Sequence, residues 1–113
     1  MKDLSVPEQL ILTAIWRLGK DAYGVTIRRK VAEVTQKDLI YGTLYNFLDQ
    51  LLRKGYVTKT PSEPTGERGG RSRMIYGITE KGLLALREAR ALQESIWAGI
   101  PAEGLTRQGS SDE

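Results

Sequence analysis

The hydrophobic period of this chain changes twice, and those two changes leave few folds open. Over IYGTLYNFLDQLLRKG, Leu44, Phe47, Leu48, Leu51 and Leu52 recur at i, i+3, i+4, i+7 and i+8, which is one stripe of an α-helix. Gly55 stops that helix. YVTKT then alternates and is rich in β-formers, so it reads as a strand. Residues 61–73 form turns, through Pro61, Pro64, Gly66, Gly69 and Gly70, and MIYGI reads as a second strand. Thr79 next caps a long helix with the apolar set Ala85, Leu86, Ala89, Leu92, Ile96 and Trp97, which Pro101 is expected to end.

Two helices precede this unit. In SVPE, Ser5 caps, Pro7 fits a first turn and Glu8 reaches back to complete a capping box. Leu10, Ile11, Ala14, Ile15 and Leu18 form the stripe, and Gly19 ends it. The second helix fits YGVTIRRKVAEVT, with Tyr23, Ile27, Val31 and Val34 inward and Arg28, Arg29 and Lys30 mostly outward. A short polar link, TQKD, joins it to the third.

The expected fold is therefore mainly α with a two-stranded hairpin, a winged helix-turn-helix followed by a C-terminal dimerisation helix. The expected boundaries are 1–78 for the winged domain, 79–101 for the helix and 102–113 for a polar tail. Only part of the last helix's apolar stripe can be covered by so small a domain. Leu86, Ala89, Leu92 and Ile96 are accordingly expected to form a homodimer interface, the same patch on both subunits.

Composition narrows the function. With 113 residues, the chain suits one domain with a modest core. It contains neither histidine nor cysteine, so an enzyme would have to work without imidazole or thiol, and no catalytic constellation stands among its other residues. The reading is a non-enzyme, with no metal site and no cofactor. No apolar run approaches the ~18–20 residues of a membrane helix. MKDLSVPEQL has no signal-peptide core, so the expected compartment is the cytoplasm. Net charge is +3; the last twelve residues carry −2, which leaves about +5 on the rest, a mild basic bias compatible with nucleic acid.

The loop GERGGRSR, residues 66–73, holds three glycines and three arginines between the two strands. In a winged helix this is the wing, and Arg68, Arg71 and Arg73 are placed to neutralise phosphates or enter the minor groove. The bland alternative is a solvated hairpin loop. A nucleotide-phosphate loop does not fit, since the required glycine spacing and lysine are missing. With Leu44, Phe47, Leu48 and Leu51 inward, the third helix presents Thr43, Asn46, Asp49, Gln50 and Arg53 outward, flanked by Tyr41 and Tyr45. Tyr41, Thr43, Tyr45, Asn46 and Gln50 are the candidate DNA-contacting residues, and Asn46 is suited to adenine. Arg28, Arg29 and Lys30 are either a wet helix face or phosphate contacts. Trp16 reads as a packing residue.

YGTLYNFLDQLLRKGYV followed by GGRSRMIYGITEKG resembles the PadR family of bacterial transcriptional regulators. The carriers are Gly42-Thr43-Leu44-Tyr45, Leu48 to Leu52, Lys54-Gly55, Arg71 to Tyr76, and Ile78-Thr79-Glu80-Lys81-Gly82. Tyr23-Gly24 resembles the family's entry to helix two. The likeness covers roughly residues 7–95. It implies a dimer that binds double-stranded operator DNA and usually represses, with dimer contacts mainly from a single C-terminal helix. It also implies a hydrophobic or aromatic small-molecule effector, for which Trp97 is the candidate; the other reading of Trp97 is core or dimer packing. Two departures stand out: Asn46 occupies a position where the family often has Pro, and Gly77 falls inside the second strand, marking either a bulge or a close backbone approach. The competing function is a winged-helix protein–protein interaction module that binds no DNA.

Overall fold

In the computed structural model, residues 4–62 and 73–105 are described. Their order is α1 (Val6–Leu18), α2 (Gly24–Thr35), α3 (Tyr41–Arg53), β1 (Val57–Pro61), β2 (Met74–Ile78) and α4 (Glu80–Trp97). Short 3-10 turns occupy Gly19–Asp21 and Ala102–Leu105. This is the expected mainly helical fold with one antiparallel hairpin. No helix among the described residues is long and apolar enough to cross a membrane.

The predicted capping box opens α1. The Ser5 hydroxyl accepts from the Glu8 N–H at 3.2 Å, and the Glu8 carboxylate accepts from the Ser5 N–H at 2.8 Å. Glu8 is also buried, and its second oxygen accepts from the Lys54 ammonium at 2.5 Å, tying the start of α1 to the end of α3. Burial works to raise the Glu8 pKa. The hydrogen bonds from Lys54 and Ser5, with the Lys54 charge, outweigh it and hold the carboxyl below its ordinary value.

The core joins Ile11, Leu12, Ala14 and Ile15 of α1 to Ile27 and Val31 of α2, to Leu44, Leu48 and Leu51 of α3, and to Tyr76 of β2. Full burial of each large aliphatic side chain contributes about 1.5–3 kcal/mol. Leu12 was not part of the expected stripe yet is fully buried, because α1 is wrapped by α2, α3, β2 and α4 and its inner arc is wider than one stripe. Two expected inward residues are corrected. Val34 is 55% exposed on the last turn of α2, beyond the point where burial ends at Val31. Trp16 is 67% exposed, in an open groove between α1 and α4 beside Leu83 and Leu86.

The hairpin register runs without a bulge from Val57↔Ile78 to Pro61↔Met74. Gly77 therefore marks neither a bulge nor a close backbone approach: among the described residues, the only atom a Cβ there would crowd is the side-chain hydroxyl of its cross-strand partner Thr58, at 3.1 Å. Gly55, at φ 79°, turns the chain from α3 into β1. Thr79 then docks α4 on that turn, its N–H donating to the Tyr56 carbonyl and its hydroxyl to the Gly55 carbonyl. The helix ends at Trp97, before Pro101: Ala98 leaves the helical backbone at ψ 129°, and Gly99 completes the turn at φ 79°. Residues 91–97 of α4 are all exposed, so the second half of the helix projects from the core in a molecule measuring 65 × 29 × 21 Å.

Candidate nucleic-acid interface

The link between α2 and α3 sets the angle at which α3 is presented. Gln36 takes a left-handed conformation at φ 63° to close α2. The Arg28 guanidinium then crosses from α2 to the link. Its Nε donates to the Leu39 carbonyl, and its Cζ lies over the Tyr41 ring, 4.6 Å from the centroid. Arg28 is therefore a structural tie of the helix-turn-helix, a role its sequence position did not reveal. Lys30 pairs with Glu33, and Arg29 is exposed.

The outer face of α3 carries exposed Tyr41, Tyr45, Asn46, Asp49, Gln50 and Arg53. Thr43, expected on that face, is half-buried, because it lies one turn before half-buried Phe47 at the margin of the inward stripe. Tyr41 and Tyr45 stack with centroids 6.3 Å apart. Tyr45 also leans onto the start of α2, where a Cβ on Gly24 would stand 2.1 Å from its hydroxyl. The glycine at position 24 is what lets this tyrosine lie there.

The N-terminus of α3 is built against its own stability. Its N-cap is Ile40, no side chain caps it, and no acidic residue stands in its first turn. A Ser, Thr, Asp or Asn at that position would contribute roughly 0.5–2 kcal/mol. Gly42 adds about 1 kcal/mol of lost helix propensity, although a Cβ on it would meet nothing within 4 Å.

The base of the hairpin lies beside this helix. The Tyr76 N–H donates to the Ala22 carbonyl at 2.8 Å, fixing β2 to the entry of α2. Arg73 and Ser62 close the hairpin, the Arg73 N–H donating to the Ser62 hydroxyl and the Ser62 N–H to the Arg73 carbonyl. The Arg73 guanidinium stacks 4.4 Å from the centroid of Tyr23. A shallow groove results, lined by Tyr23, Tyr45, Lys59, Arg73 and Met74, that runs from α3 to the base of the hairpin. Tyr76 forms part of its lining; burial, then the neighbouring Tyr45 and Asp49, raises its pKa above the ordinary phenol value. Nothing in the sequence singles out Lys59, and Tyr23 reads there only as an inward residue at the entry to α2; strand register and that entry bring the two to Tyr45. Arg68 and Arg71 lie outside the described residues.

Along α4, Leu86 and Ala89 are half-buried against the chain's own core, whereas Leu92, Ile96 and Trp97 are 45%, 54% and 47% exposed. The Trp97 indole donates to Gln93 at 3.3 Å. Among the described residues no cluster of His, Cys, Asp or Glu could hold a metal ion.

The chain is similar to a PadR family transcription regulator from hypervirulent Clostridium difficile R20291, with 25% identity, a TM-score of 0.69, and 81% of this chain and 91% of that one covered. H. salinarum RosR is 29% identical, with a TM-score of 0.64 over 91% of this chain and 84% of that one. A PadR-like transcription factor from Bacteroides fragilis is 27% identical, with a TM-score of 0.62 over 79% and 81%. No curated protein matches the chain by sequence. The pattern of the transcriptional regulator PadR-like family matches residues 11–88, most of the chain, and the chain therefore belongs to the PadR-like family of transcriptional regulators.

Proposed function

We propose that this regulator is a homodimeric, cytoplasmic repressor that reads operator DNA with α3 and is released by a hydrophobic or aromatic small molecule. The observation that carries the DNA-binding part is the exposed outer face of α3 lying beside the base of the hairpin. Tyr41, Tyr45, Asn46 and Gln50 are exposed along that face, Tyr45 shares a groove with Lys59 and Arg73, and the inward leucines leave α3 no other way to face. The first residues of such a helix reach base edges in the major groove. Arg73, with Arg68 and Arg71 farther along the loop, supplies charge for backbone phosphates. Thr43, at the margin of the face, offers its hydroxyl to a phosphate oxygen.

The exposed half of α4 supports the dimer. Leu92, Ile96 and Trp97 lie outside the monomer's core, and a two-fold axis along this helix covers them on both subunits. Leu86 and Ala89 form the inner edge of the same stripe, already partly covered by their own chain. A flat apolar effector stacked on Trp97 and its symmetry mate would shift the spacing of the two α3 helices, which is the route to release.

The test is a salt titration of binding to a selected operator duplex and to random duplex. The reading predicts sequence preference and a log–log slope near −0.9 for each phosphate neutralised. Arg73→Ala and Arg71→Ala are each expected to flatten that slope by about one unit on all sequences. A chain with no preferred duplex at any salt is an interaction module instead.

A further inference from the structure

Three features at the tip of α3 lower the stability of the monomer and return nothing within it. Ile40, at 73%, is the most exposed large apolar side chain among the described residues. It occupies the N-cap, where it cannot accept from the free amides that follow. Gly42, two residues on, sits in a helical turn with open space where its Cβ would be. Local rules of this kind are broken where something outside the chain repays the loss. The tip holds no acidic side chain in its first turn to repel a polyanion, and Tyr41, held by Arg28, keeps the segment in place.

Resting on the reading that α3 enters the major groove, we infer that Ile40 determines specificity by packing on the C5-methyl group of a thymine. Of the four bases only thymine offers an apolar group on the major-groove edge, and an apolar side chain is its natural complement. The helix tip is the part of α3 that goes deepest, and Gly42 removes the side chain that would otherwise hold the backbone off the base edges. Ile40 thus reads one position per half-site through its methyls, with the polar readers Asn46 and Gln50 about two and three turns along.

The test replaces each thymine of a duplex selected by the wild-type protein from a random-sequence pool with deoxyuridine, which lacks only the methyl. Wild type is expected to lose about fourfold in affinity per half-site at one symmetric position. Ile40→Ser is expected to bind the thymine and deoxyuridine duplexes equally at that position, while its melting temperature holds or rises because the serine caps α3. Wild-type binding that is specific yet indifferent to every deoxyuridine overturns the inference. So does an Ile40→Ser protein with the same deoxyuridine loss as wild type. Failure of the underlying reading looks different: the pool yields no preferred duplex at all.

Discussion

The Tyr45 hydroxyl occupies the space a side chain at Gly24 would need, 2.1 Å from where that Cβ would stand. The obstruction is the far end of a mobile side chain, so Gly24→Ala costs the fold little, and at the first position of α2 it gains some helix propensity. What it displaces is Tyr45. We expect Gly24→Ala to change stability by no more than about 1 kcal/mol while weakening operator binding. Tyr45→Ala is expected to weaken binding to a similar degree, and the double variant no further, which a double-mutant cycle measures directly.

Gly82 gives the opposite result. A Cβ there would stand 2.3 Å from the Tyr56 carbonyl oxygen and 3.0 Å from Ile78, and backbone cannot swing aside. Gly82→Ala is expected to destabilise by about 1–3 kcal/mol, the usual cost of overpacking. Gly42→Ala, with open space around it, is expected to raise stability by up to about 1 kcal/mol. Denaturant unfolding of the two variants distinguishes them.

The Glu8–Lys54 pair makes stability depend on acid. The folded pKa of Glu8 lies below its ordinary 4.5. Its contribution is complete above that ordinary value and is lost as pH falls through the folded value, since the unfolded chain then binds the proton first. Glu8→Gln is expected to be less stable than wild type at neutral pH, with the difference shrinking as acid is added. Parallel unfolding titrations of the two proteins between neutral and acidic pH check this.

Residues 91–97 of α4 are exposed, and the proposed dimer rests on them. Leu92→Glu with Ile96→Glu is expected to leave a folded monomer with weak operator affinity, because both side chains stand clear of the core. Sedimentation velocity measures the first effect and a binding titration the second. A double variant that remains dimeric removes this stretch from the interface.

What could be read in the sequence was local. The Ser5–Glu8 capping box, the leucine stripe of α3, the Gly55 turn and the MIYGI strand depend on residues within a few positions of each other, and all appear in the structure. The family resemblance, carried by contiguous motifs, was legible for the same reason. What was not legible depends on distant pairs. Nothing near Gly24 reveals that Tyr45 lies over it, and nothing near Arg28 reveals the Leu39 carbonyl or the Tyr41 ring. The sequence reads Trp16 as a packing residue, and nothing near it reveals that α4 leaves an open groove beside it. Lys59 joined the interface only through its register with Tyr76.

The central claim is that the outer face of α3 reads sequence, and Asn46 is its sharpest probe. An asparagine can make two hydrogen bonds to adenine, worth about 1–3 kcal/mol of discrimination. The measurement is the affinity of wild type and Asn46→Ala for the operator and for every single-base-pair variant of it, with random duplex as the non-specific reference. The account predicts that Asn46→Ala loses its preference at one symmetric position, keeps its preferences elsewhere and keeps its affinity for random duplex. Identical preferences for wild type and for Asn46→Ala, repeated for Tyr45→Ala and Gln50→Ala, would contradict it.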